Sequence, residues 1–237
     1  MLHPVGQACS GMLDVHAHLL PGIDDGPADL AAAVALVGVL RRQGVTQVVT
    51  TPHWLSPRFP AVLPAGIAAA YASLRSALPD GPEVLLGAEV HLAGVGGAEA
   101  FAAAVRLLGD GPCVLVELPD EHLPSIAWDA LFTLRRRGLR PVLAHPERCR
   151  GLDPAGEPLA AFLASGGLLQ LTLGHLLGTH GWSLRWRSRG LLKRHRRSCV
   201  IASDAHAASG PRAPLWDRLP AVWRELVPRD LVHLAAW

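Results

Sequence analysis

Six short segments of this 237-residue chain carry imidazole or carboxylate groups where a strand is expected to end. They are Asp14-Val15-His16-Ala17-His18, Thr51-Pro52-His53, Gly87-Ala88-Glu89, Val116-Glu117-Leu118-Pro119, Ala144-His145-Pro146-Glu147-Arg148 and Ser203-Asp204-Ala205-His206. Mixed imidazole and carboxylate donors suit Mn, Fe and Zn. The thiols of Cys9, Cys113, Cys149 and Cys199 follow no ligand spacing. His16 and His18 lie two apart, so on an extended segment they point the same way and can hold one ion. Asp204 and His206 repeat that geometry. Glu89 or Glu117 could bridge two ions, and His53 and His145 offer further nitrogens. Two or three cations about 3.5–4 Å apart can clamp a phosphoryl group. One HxH pair is a weak signal. Imidazoles and acids from separate strand ends are poorly explained as scattered structural histidines.

Other residues could assist. Asp14 could orient a liganding ring from behind, or cap a strand end. Arg148, three residues beyond His145, could grip a phosphate in a bidentate fork, or form a surface salt bridge. Asp24 and Asp25 follow Pro21-Gly22, and that loop places a carboxylate near the cations or merely caps a turn. His91 and His122 are expected in loops within reach of substrate. His175, His180, His195 and His233 are expected to serve structure or face solvent. Trp54 could pack a substrate ring or close the rim. Cys149 lacks the CxxxxxR cradle of a cysteine phosphatase, so it is not read as a nucleophile.

These groups need elements to bring them together. Met12–Val15 reads as a strand leading into His16. Helices are expected over Asp29–Gln43, Ile67–Leu78, Ala98–Leu108, Ile126–Arg137, Leu159–Ala164, Leu184–His195 and Leu215–Leu226. Strands are expected over Val45–Thr51, Val84–Leu86, Cys113–Leu118, Pro141–Ala144, Leu168–Thr172 and Cys199–Ala202. Strand followed by helix, seven times over, implies an α/β fold with a mostly parallel sheet. A small or distorted barrel fits this length better than an open doubly wound sheet, because no glycine-rich fingerprint follows the first strand. Active sites of such folds lie at the C-terminal strand ends. Residues 1–11 read as an extension, and 12–237 as a single domain.

Composition narrows the function classes. Half the residues are hydrophobic, 18% are charged and mean hydropathy is +0.26, which excludes a largely disordered chain. A net charge of +2 does not require a nucleic-acid partner. The start has neither a basic n-region nor an apolar core, so a signal peptide is not expected. No apolar run is long enough for a spanning helix. Cysteine usage points to a reducing, cytoplasmic setting. One basic run, Arg185 to Arg197, contains no acid and carries Trp182 and Trp186 at its start. It could dock an acidic peptide, an anionic membrane or nucleic acid, or be a solvated helix face.

In order and spacing the motifs resemble the PHP (polymerase and histidinol phosphatase) superfamily. Within it they resemble the bacterial protein-tyrosine phosphatases of the capsule and exopolysaccharide type, CpsB/YwqE. The resemblance is carried by the opening Leu13-Asp14-Val15-His16-Ala17-His18-Leu19-Leu20-Pro21-Gly22-Ile23-Asp24-Asp25-Gly26, by Thr50-Thr51-Pro52-His53 and Leu86-Gly87-Ala88-Glu89, and by the three later segments. It spans residue 12 to about residue 212. It implies a distorted (β/α)7 barrel of the PHP type with a Mn2+ centre of two or three ions (Fe or Zn also fit). The implied ligands are His16, His18, His53, Glu89, Glu117, His145, Asp204 and His206. Arg148 would bind phosphate, with Asp14 and Asp24 assisting. The implied substrate is the phosphotyrosine-bearing C-terminal tail of a bacterial tyrosine kinase. That would bring the chain near the membrane through the kinase, and members of the family associate with themselves. A histidinol-phosphate or other small-molecule phosphatase, or a non-catalytic metal-binding regulator, is the alternative. Departures from the pattern are the N-terminal extension and the arginine-rich segment after Gly181.

Overall fold

The computed structural model describes residues 11–78, 80–92, 97–124 and 126–237. The expected extension, 1–11, lies outside them except for Gly11. The strands are β1 (Leu13–Ala17), β2 (Gln47–Thr50), β3 (His53–Trp54), β4 (Glu83–Leu86), β5 (Glu89–His91), β6 (Cys113–Glu117), β7 (Arg140–Ala144), β8 (Leu168–Thr172) and β9 (Cys199–Ala202). The helices are α1 (Leu30–Arg42), α2 (Pro64–Ser76), α3 (Ala98–Ala104), α4 (Ile126–Arg136), α5 (Glu157–Ala164), α6 (Leu173–Leu177), α7 (Trp182–His195) and α8 (Leu231–Ala236).

Every strand pair is parallel. Strands β1, β2 and β4 form one sheet; β3, β5, β6, β7, β8 and β9 form the other, in that order. The division is local. Just past β2, at Thr51-Pro52, and past β4, at Gly87-Ala88, the ladder breaks and resumes as β3 and β5. Glu89 N–H donates to Pro52 O and Gly87 N–H to Thr50 O across the break. At the other side β9 returns to β1. Ala17 bridges Ala205, Asp204 N–H reaches His16 O at 2.9 Å and His18 N–H reaches Ala205 O at 2.8 Å. The outcome is an α/β fold of parallel strands in a barrel-like course.

Local chemistry explains the helices that hold this course. Asp29 caps α1 by accepting from Ala32 N–H, and Ala33, Leu36, Val37 and Leu40 form its buried stripe. Gly44, at φ +90°, ends it. Apolar side chains divide into two clusters. The larger mixes strand and helix residues, among them Val48, Val114, Phe162 and Leu191. The smaller is built from strands, with Leu13, Val15, Val49, Cys113, Leu115, Val142, Leu168 and Val200, plus Leu108 and Leu234. It takes the alternate side chains of the strands, opposite those that pack with α1, α4, α5 and α7.

Several elements differ from expectation. Helix α3 stops at Ala104 because Val105 is extended and Trp54 Nε1–H takes the Ala104 carbonyl. The region 215–226 forms two 3-10 turns, Trp216–Arg218 and Ala221–Leu226, because Pro220 between them cannot continue a helix. Helix α8 emerges beyond them. It packs Leu234 into the smaller cluster, and Arg140 at the start of β7 donates to the carbonyls of Leu234, Ala235 and Trp237. Hence α8 closes the end where the strands begin.

Candidate metal centre

Strand alternation builds the site. On β6, Cys113 and Leu115 enter the smaller cluster, and Glu117 is next on the same face. On β9, Val200 and Ala202 do the same, with Asp204 two residues on. Each row runs from apolar at the strand start to a ligand-type group at its end. Because all strands are parallel, these ends form one rim.

At that rim the eight expected ligand residues come together, in overlapping groups. These are His16, His18 and Asp204; His16, Glu89 and His145; His53, Glu89 and Glu117; and His18, His53 and His206 with Asp25, all with donor atoms within 4.8 Å of one another. Glu89 is central. Its carboxylate lies 2.7 Å from His145 Nε2, 3.1 Å from His53 Nδ1, 3.3 Å from His18 Nε2 and 3.5 Å from His16 Nε2. Asp204 is 3.4 Å from His16 Nε2. His145 (φ +28°) and Asp204 (φ +54°) both occupy left-handed backbone, which costs a non-glycine residue energy that the surrounding contacts must offset.

The rings are aimed from behind. His18 Nδ1 is held by Asp24 at 2.8 Å, and Asp24 also accepts from His53 N–H and Gly26 N–H. His16 Nδ1 is held by Gln170 Oε1 at 2.8 Å, which also accepts from His145 N–H. His206 Nδ1 donates to Asp204 O. Each contact fixes a tautomer that leaves Nε2 facing inward. Asp14 is fully buried and, among the described residues, hydrogen-bonds no imidazole ring. It accepts from His16 N–H, Ser203 N–H and Trp216 Nε1–H, pinning β1 to β9. Asp24 serves as an orienting group, and its neighbour Asp25 presents the carboxylate to His53 and His206, 3.4 Å from each.

Electrostatics reflect the crowding. Burial opposes protonation of His16, but Glu89 and Asp204 outweigh it and lift its pKa to about 9. Burial and the Glu89 charge push Glu117 up to about 8. Although burial works against it, His18 draws the Asp24 carboxyl down to about 2.

This donor set fits divalent cations. His16 Nε2 and His18 Nε2 face each other at 3.3 Å, while Glu89 Oε2 and His53 Nδ1, though only 3.1 Å apart, are buried and make no well-aligned hydrogen bond among the described residues. Buried polar atoms are normally satisfied, and a shared cation satisfies several at once.

The centre opens into a cavity of about 400 Å3, also lined by Arg58, Arg148, Thr172, His175, His180, Leu184 and Arg212. Arg148 Nε lies 3.5 Å from Asp120, and its charge is reinforced by Asp120 against the opposing effect of burial. The loop that carries His145 and Arg148 is clamped by Arg187, which donates to the carbonyls of Glu147 and Cys149. Part of the basic run is therefore internal fastening: Arg189 bonds Leu176 O and Arg196 bonds Glu225. Trp54 sits at the rim under Arg106, and Phe59 stacks on His53. His91 lies in β5 rather than a loop. His175, expected to be structural or exposed, is a buried wall of the cavity.

Residues 12–226 match the family model for capsular polysaccharide synthesis, CpsB/CapC. The chain belongs to the CpsB/CapC family. Among its relatives, the tyrosine-protein phosphatase YwqE of Bacillus subtilis is 32% identical over 198 residues, covering 82% of this chain and 77% of the relative. The tyrosine-protein phosphatase CpsB of Streptococcus pneumoniae is 25% identical, covering 82% and 83%. A chain from the crystal structures of these two proteins, described as unique metal-dependent tyrosine phosphatases, superposes with a TM-score of 0.77 at 29% identity, covering 95% of this chain and 91% of its own. A β-aspartyl dipeptidase from Fervidobacterium islandicum AW-1 shares the fold alone, with a TM-score of 0.53 at 16% identity. Helix α8 lies beyond the residues matched to CpsB/CapC.

Proposed function

We propose that this CpsB/CapC member is a metal-dependent protein-tyrosine phosphatase that hydrolyses phosphotyrosine on the C-terminal tail of a bacterial tyrosine kinase, in the control of capsule or exopolysaccharide synthesis. The observation that carries the reading is the open cavity in which four overlapping ligand groups face Arg148. Two or three ions fit such overlap, and Mn2+ is the cation we favour over Fe or Zn, on the oxygen and nitrogen donors. The full fold we infer is a distorted (β/α)7 barrel closed by the β1–β9 contact.

When bound, the cations supply Lewis-acid activation of water and of the phosphoryl group. The residues of the chain do the rest. His16, His18, His53, Glu89, Glu117, His145, Asp204 and His206 hold the centre, with Asp25 at its edge. Asp24 and Gln170 keep the rings in register. Arg148, steadied by Asp120, lies where its fork can take two phosphoryl oxygens and neutralise the charge that grows on them as the bond to the phenol breaks. Its place on the cavity wall suits a phosphate that enters on an extended side chain such as tyrosine. The setting we infer is cytoplasmic, beside a membrane-borne kinase, with self-association through surfaces near the first helices.

The test pairs metal analysis of the purified protein with hydrolysis of a phosphotyrosine peptide and of histidinol phosphate. Turnover of the peptide, lost with the metal in His16→Ala, is the expected result. Preference for histidinol phosphate would replace the protein substrate with a small one. No turnover of either with Mn, Fe, Co or Zn would leave a metal-binding regulator.

A further inference from the structure

The cavity wall carries a histidine, backed by a buried carboxylate, that the ligand set does not use. Helix α6 starts directly after β8, so its first turn projects into the rim between the ends of β7 and β9. There His175, 5% exposed, places Nδ1 2.8 Å from Glu147 Oε1. Glu147 is fully buried, and the same oxygen accepts from Thr172 N–H at 3.0 Å. A buried carboxylate needs a countercharge or a donor; His175 is the ion-pair partner that the described residues give it. Glu147 is itself held in place, since Arg187 grips its carbonyl. The His175 ring also meets His180 edge-on, with centroids 4.9 Å apart. Its orientation is therefore set from two sides, and Nε2 is the nitrogen left for a molecule in the cavity. Arg148, Asp204 and His206 line that same cavity.

A carboxylate behind one ring nitrogen fixes the orientation of the imidazole, so that the other nitrogen is the one that can hand a proton to a molecule in the cavity. We propose that His175 is the general acid of the phosphatase reaction, a role that rests on the function proposed above. The attacking water releases one proton to solvent and forms the new P–O bond. The P–O bond to the phenol breaks, its electron pair stays on the phenol oxygen, and that oxygen takes the Nε2 proton of His175. The ring keeps its Nδ1–H on Glu147 and regains the lost proton from solvent. The products are the neutral phenol and inorganic phosphate. Phosphotyrosine has an ordinary phenol as its leaving group, so this proton matters; a nitrophenolate leaves well without one.

The test compares His175→Gln and His175→Ala with the parent protein, on phenyl phosphate and on p-nitrophenyl phosphate, after melting curves and metal content are matched. The expected result is a kcat on phenyl phosphate lowered by about 10²-fold or more, with a far smaller loss on p-nitrophenyl phosphate. The dependence of rate on the acidity of the leaving phenol should steepen in both variants. Equal losses on the two substrates would make His175 a structural support and overturn the assignment, as would no loss on either. If one variant unfolds, the other decides. If the parent protein itself turned over neither substrate with any of the cations, the phosphatase reading would fall, a result separate from a failure of His175 alone.

Discussion

Gln170 Oε1 lies 2.8 Å from His16 Nδ1 and at the same time accepts the backbone N–H of His145. One amide thus aims a candidate ligand on β1 and holds the backbone of another beyond β7. Gln170→Leu keeps the size and burial of the side chain but removes both contacts. Metal affinity should fall by about 10–100-fold, as is usual when the outer partner of a liganding histidine is lost. Calorimetric titration with Mn2+ checks this, and unchanged affinity would mean that Gln170 is only filling space.

Arg148 tests the division between holding cations and stabilising transferred charge. Arg148→Ala should retain the metal content of the parent while kcat on a phosphotyrosine peptide drops by about 10²-fold, the range seen when one donor to a developing anion is removed. Arg148→Lys should recover only part of it, because an ammonium cannot form the fork. Full activity in metal-replete Arg148→Ala would remove the residue from the reaction.

The pH dependence of stability follows from protons standing in for cations. His16 is raised from 6.5 to about 9, so the stability it gives the metal-free protein is complete below pH 6.5 and is lost as pH rises through 9. Glu117 is raised from 4.5 to about 8, and its protonated form likewise favours the fold until pH climbs through 8. Both trends run the same way. The Tm of chelator-treated protein should fall between pH 6.5 and 9, while added Mn2+ restores it, so the gap between the two should widen with pH. A gap constant over that window would contradict this account of the cluster.

Packing at the other end of α5 gives a prediction with no chemistry in it. A Cβ on Gly167 would lie 2.2 Å from Phe162 Cζ, and Phe162 is fully buried. Gly167→Ala should therefore cost about 1–3 kcal/mol, or roughly 2–12 °C in Tm, with metal affinity unchanged. Adding Phe162→Leu should recover part of the loss; a melting curve equal to that of the parent would refute the clash.

The ligand-type residues were legible because each lies at or just past the end of an expected strand, His53 and Glu89 standing where the ladder resumes as β3 and β5, and parallel strands deliver these positions to one rim. What could not be read was how side chains turn. Asp24 and Asp25 are adjacent, and only the loop geometry puts Asp24 behind His18 and Asp25 against His53 and His206. Gln170 left one trace, a lone amide inside the apolar run Leu168-Leu169-Gln170-Leu171, which marks a polar side chain that needs a partner inside. His175 was hidden by its setting in a five-residue helix, too short for periodicity to register. Helix α8 was hidden for a similar reason, at six residues. The basic run was read by its charge. Its arginines Arg187 and Arg189 spend their donors on backbone carbonyls, a use that charge counting does not detect.

The Arg140 clasp on the carbonyls of α8 sits at the foot of β7, while His145 stands just past its head. One strand thus links an anchor to the chemistry without mixing them. Evolution can retune the clasp for heat or cold and leave turnover alone. It can equally reshape the loops above for a new phosphorylated target while the foundations stay put.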